Sequence, residues 1–143
     1  MKRVWPAALA ILAMQMPAVA AQQGDIVVRG DVARTEIERI LRADNVDTSR
    51  LGAREVAEAI AAIERGRAPD DFWAAYQAHV RAWEQLADAE EKGAKDFETG
   101  FGGTGEVAKA ARAIDFTFDQ VERIARDYGA RLPIPRWSIA PTV

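Results

Sequence analysis

The sequence predicts an all-α protein: an up-and-down four-helix bundle with two short and two longer helices, a flexible N-terminal arm and a proline-containing C-terminal tail. Three observations predict it. Apolar residues recur at steps of three and four in four separate segments, the period of a helix with one buried face. Residues that start and stop helices bound those segments. The only strand-like run, Ile26-Val27-Val28, has no second run to pair with. The expected division is an export signal over 1–20, an arm over 21–30, a helical domain over 31–129 and an extended tail over 130–143.

Residues 1–20 carry a charged start at Lys2 and Arg3, an apolar run from Val4 to Pro17, and Ala18-Val19-Ala20 before Ala21. That order matches a secretory signal peptide cleaved near Ala20-Ala21. Its apolar part is shorter than the roughly 18 to 20 residues a permanent membrane anchor needs. The expectation is a periplasmic or secreted protein without such an anchor.

The first helix is expected over 31–44, with Asp31 as a cap and Ala33, Ile37, Ile40 and Leu41 on one face. The second is expected over 53–65. If Gly52 is its N-cap, Glu55 stands at the third helical position, where its carboxylate reaches back to the cap N–H. Leu51 and Val56 bracket that cap as a staple, Val56, Ala59, Ile60 and Ile63 form the buried stripe, and Gly66 is a left-handed terminator.

Pro69, Asp70 and Asp71 open the third helix, expected over 69–92, with proline and acids where a first turn favours them. Phe72, Tyr76, His79, Trp83 and Leu86 step by 4, 3, 4 and 3, and Trp73, Val80 and Ala87 widen the stripe. The fourth helix is expected over 105–128, with Val107, Ala111, Ile114, Phe118, Val121, Ala125 and Tyr128 on its seam and Gly129 at its end. Alternating steps of 4 and 3 suit antiparallel neighbours crossing at about 20°. Phe116 lies about 180° from that seam at 100° per residue, on the face directed at water. Prolines 133, 135 and 141 keep the tail from being helical throughout.

Composition narrows the chemistry. The chain has no cysteine, which removes disulfides and thiolate chemistry. All three methionines lie within residues 1–20 and His79 is the only histidine, so His/Met haem, blue-copper and multi-histidine zinc sites are not expected. The formal net charge is −3, and loss of Lys2 and Arg3 with the signal makes it more acidic by two charges. Mixed signs without a basic stripe argue against nucleic acid.

Two motifs carry partial signals. Gly100, Gly102 and Gly105 spell G-x-G-x-x-G, but dinucleotide binding requires that pattern between a strand and a helix, and here a polar helical segment precedes it. A flexible connector is the expectation. The segment from Asp44 to Glu55 is similar to an EF-hand calcium loop, with Asp44 at position one, Leu51 at eight and Glu55 at twelve. It departs at Val46, where an oxygen ligand belongs, and at Ser49, where the family has glycine. A capped helix–turn–helix explains the same residues without a metal.

No catalytic set is expected. Ser49 and Ser138 stand outside G-x-S-x-G, and the adjacent acids Asp70/Asp71 and Glu90/Glu91 diverge by about 100° on a helix. His79, inside the aromatic stripe, is expected to be a core residue. The leading expectation is therefore a non-enzymatic exported binding or protein-interaction protein, with Phe116 and Trp137 as candidate interaction residues. The alternative is a small-ligand or cation carrier with a pocket between the aromatic helix and the last helix, drawn from Trp73, Tyr76, His79 and Trp83. A cell-envelope hydrolase ranks third. The expected partner is a protein, a small ligand or a second copy of the chain, with no cofactor and no resident metal.

Overall fold

A computed structural model describes residues 18–98 and 104–134, with side chains for 30–96 and 105–134. The described residues form four helices and no strand: α1 Ala18–Asp44, α2 Ala53–Ala61, α3 Asp70–Glu98 and α4 Thr104–Asp127. Residues 1–17 of the expected signal segment 1–20 and tail residues 135–143, Trp137 included, lie outside the described residues.

Cross-helix contacts fix the direction of each helix. Arg54 at the start of α2 meets Asp88 and Glu91 late in α3, at 2.5 and 3.0 Å, whereas Ile60 near the end of α2 meets Tyr76 early in α3. Lys92 of α3 pairs with Glu106 at the start of α4, at 2.9 Å, and Tyr128 beyond its end donates to Asp71 at 3.1 Å. Both pairs of helices are thus antiparallel. Tyr76 also reaches Asp44, the last residue of α1, while Glu36, two turns earlier in α1, accepts from the Arg67 N–H just before α3. α1 therefore runs with α3 and against its other neighbours, giving the up-and-down order.

The core is the predicted one at most positions. Ile37, Ile40 and Leu41 of α1, Val56 and Ile60 of α2, Phe72, Tyr76 and Val80 of α3, and Val121 and Ala125 of α4 pack into one cluster. Two seam residues are corrected. Ala59 and Ala111 are exposed, and Ala57 and Ala110 are buried in their place. Leu51 is exposed as well, so the predicted staple over the α2 cap is not closed.

Helix ends show where local signals held. The Gly52 N–H donates to the Glu55 carboxylate at 2.9 Å, one arm of a capping box. α4 ends in a Schellman turn: Ala130 N–H donates to Ala125 C=O at 2.9 Å and Gly129 N–H to Arg126 C=O at 2.8 Å, with Gly129 at φ +70°.

Three boundaries differ from expectation. Residues 21–30, expected as an arm, are helical and continue α1, because a packed helix propagates cheaply through residues of modest propensity. Asp31 is consequently inside the helix, where its carbonyl accepts from the Thr35 hydroxyl at 2.8 Å. α2 stops at Ala61 rather than 65. Ile60 C=O accepts from Ile63 N–H in a tight closing turn and from Tyr76, and beyond the helix Glu64 C=O accepts from Arg39 at 2.6 Å. α3 runs past the expected frayed end through Gly93, whose missing Cβ would sit 4.0 Å from Val107 of α4.

Gly66 and Gly129 both have positive φ, where a side chain costs about 1 kcal/mol or more. A Cβ on Gly66 would also run into the Glu36 carboxylate, which holds the Arg67 N–H and Arg39. Gly129 has open space around it. Gly129→Ala is expected to cost about 1 kcal/mol and Gly66→Ala distinctly more, measured by denaturant melts. Equal losses would mean that the Glu36 contact contributes nothing.

Candidate functional site

A cavity of about 480 Å³ opens between α3 and α4, closed at its base by α2 and the end of α1. Leu41, Val56 and Ile60 supply its apolar base and are almost wholly buried. Trp83, Ile114 and Phe118 form the side walls. Asp44, Asn45, Thr48, Asp115, Asp119 and Glu122 bring polar groups to it, and Pro133 meets it from the segment after α4. That segment is held in place by Asn45, whose side-chain amide donates to Ile134 C=O at 3.1 Å.

His79 sits in the wall between α3 and α4, only 4% exposed. Trp83 Nε1–H donates to its Nε2 at 3.2 Å, and its Nδ1 lies 3.1 Å from Thr117 Oγ1. Nε2 is therefore the acceptor nitrogen and Nδ1 carries the proton in the neutral ring. Burial pushes its pKa down to about 4, because the charged form is penalised away from water. Phe118 lies against the ring with a centroid distance of 5.1 Å.

Asp44 is perturbed in the opposite direction. Burial raises its carboxyl to about 6, against the Tyr76 hydrogen bond at 3.0 Å, which favours the charged form. The Tyr76 hydroxyl is pushed far above the usual range by the same burial, so it remains a proton donor.

The structure divides the predicted residues. His79 and Trp83 line the cavity; Tyr76 lies beneath it and acts through Asp44 and Ile60. Trp73 stacks on Tyr76 at 5.5 Å and does not line it. Phe116 is 63% exposed and points away from the seam, as its phase predicts. Missing from the sequence reading were Asp44 as a wall residue and the acidic edge Asp115, Asp119 and Glu122. The signal for that edge was present: the three acids step by 4 and 3, beside Ile114 and Phe118 on the seam.

The remaining candidate motifs are occupied otherwise. Asp47 accepts from Ser49 N–H and Oγ–H, at 3.1 and 2.5 Å, and Glu55 holds the α2 cap, so the acids of the calcium-like segment face separate partners. Asp70 pairs with Arg65 and Asp71 with Tyr128, which separates that carboxylate pair. Gly105 lies in the first turn of α4, and residues 99–103 of the glycine loop are outside the described residues. No described helix is long and apolar enough to cross a membrane. Comparison with protein-family models, curated proteins and solved structures finds no match.

The two shifted groups set opposing pH dependences. Between about pH 4 and 6 the unfolded chain holds a proton on His79 that the folded chain lacks, so stability rises with pH. Over the same range the folded chain holds a proton on Asp44 that the unfolded chain has lost, so stability falls. The two slopes nearly cancel. Relative to the wild type, His79→Gln is expected to tilt stability downward with rising pH by up to about 1.4 kcal/mol per unit, and Asp44→Asn to tilt it upward by a similar amount. Denaturant melts from pH 4 to 6 check this, and parallel curves for all three proteins would contradict it.

Proposed function

We propose that the protein is a non-enzymatic, exported binding protein that holds a small molecule in the cavity between α3 and α4. The observation that carries this reading is the cavity itself. Its volume of about 480 Å³ falls within the range of small-molecule sites, as does its mostly apolar wall with a few polar groups. The wall is preorganised by buried side chains on three helices, which lowers the ordering cost of binding. The export part rests on the three-part pattern of residues 1–20. The non-enzymatic part rests on the chemistry around the cavity. Both His79 nitrogens are committed to Trp83 and Thr117, and Asp44, the other shifted group in the wall, accepts from the Tyr76 hydroxyl, so neither is paired with a nucleophile.

A second reading, protein interaction through α4, is favoured by Phe116, a large aromatic 63% exposed on the face opposite the core. Single exposed aromatics are common on monomers, so the cavity carries more weight.

The test is an NMR screen with small aromatic fragments of mixed charge. Saturable shifts at Trp83, Ile114 and Phe118 are expected, lost in Ile114→Trp, which fills the cavity. Shifts centred on Phe116 would favour the second reading, and shifts that never saturate would count against both. Phe116→Ser is expected to change stability by no more than about 0.5 kcal/mol in melts; a larger loss would place Phe116 in the packing.

A further inference from the structure

We propose that this cavity selects an amphipathic organic cation: an amine or quaternary ammonium carried on an aromatic or branched apolar body. The inference rests on reading the cavity as a ligand site, and adds the charge and shape of the ligand.

Among the described residues, four carboxylates and no lysine or arginine line the cavity. Two of the four are already engaged. Glu122 is paired with Arg126 at 2.7 Å, and Asp44 accepts from the buried Tyr76 hydroxyl. Asp115 and Asp119 make no hydrogen bond or ion pair with any of the described residues. They stand four apart on α4, so the two like charges are neighbours one turn apart and repel. A cation placed between them relieves that repulsion. A neutral ligand leaves it, and an anion adds to it.

The apolar half of the ligand is specified by the same stretch of helix. Ile114 and Phe118 immediately precede the two aspartates and turn into the cavity, where Trp83 faces them from α3. A ligand with an apolar body against these three side chains has its charged end at the carboxylate rim. A bare metal ion fits poorly: among the described residues no three acidic or histidine side chains converge on one point, and hard cations require several oxygens at short range.

The experiment compares 1-naphthylmethylamine, 1-naphthylmethanol and 1-naphthoate, which share one ring system, by NMR titration of the full chain at pH 7 in low salt. The amine is expected to bind at least tenfold more tightly than the alcohol, with the carboxylate weakest. The double variant Asp115→Asn/Asp119→Asn is expected to remove the preference for the amine over the alcohol. These residues are exposed, so the variant is expected to fold normally, and an unchanged melt checks that. Equal binding of amine and alcohol to the wild type would overturn the charge assignment while leaving the cavity as a site. Binding of none of the three would overturn the cavity reading itself. Displacement of the amine by an equal concentration of calcium would overturn the proposal in favour of a metal site.

Discussion

The buried hydroxyl of Tyr76 is the constraint on which the arrangement depends. Its ring is wholly enclosed in the core, stacked against Phe72 and Trp73, and a phenol so placed requires a hydrogen-bond partner. It has two within reach, the Asp44 carboxylate at 3.0 Å and Ile60 C=O at 3.2 Å. One side chain on α3 thereby fixes the end of α1 and the last turn of α2. Ile60 C=O accepts from the hydroxyl as well as from Ile63 N–H in the closing turn, at 3.2 Å, and α2 ends one residue later. Asp44 is drawn out of water against its own solvation, and the base of the cavity takes its shape from that placement.

The α3–α4 face is organised by a second buried polar group. His79 joins Trp83 on its own helix to Thr117 on α4, and Thr117 in turn donates back to the Ala113 carbonyl at 2.8 Å. A satisfied network of this kind fixes side-chain positions more than it adds stability. Around it, the exposed pairs Arg54 with Asp88 and Glu91, and Lys92 with Glu106, span neighbouring helices. Each such surface pair is worth little in free energy; their effect is on the alignment of the helices. With α3 and α4 aligned, Trp83, Ile114 and Phe118 border a space that no side chain of the described residues fills.

Much of this was legible in the sequence because helix periodicity reports burial directly. The seam from Phe72 to Trp83 and the phase that leaves Phe116 in water follow from spacing alone, as does the Glu55 cap. What was not legible depends on contacts between elements distant in the chain. Asp44 reads as the polar end of a helix, and only its meeting with Tyr76, 32 residues later, makes it a half-buried acid. The early end of α2 has the same origin. The helical state of residues 21–30 was missed for a different reason: Gly24, Val27 and Val28 weaken a helix locally, and continuity with a packed segment outweighs them. In the site, His79 and Trp83 were named from the aromatic stripe, whereas Asp115, Asp119 and Glu122 of α4 were not singled out, since helix phase alone does not reveal a cavity rim.

Titration of the Asp44 carboxyl carbon by NMR, in the wild type and in Tyr76→Phe, tests most directly whether the cavity base is built and dehydrated as described. Burial alone raises this group, and the Tyr76 hydrogen bond opposes the rise. A midpoint of about 6 is therefore expected in the wild type and a higher one in Tyr76→Phe, where the opposing bond is gone. A midpoint near the ordinary aspartate value of about 3.9 in both proteins would contradict it, placing Asp44 in open water and leaving the cavity without its closed end.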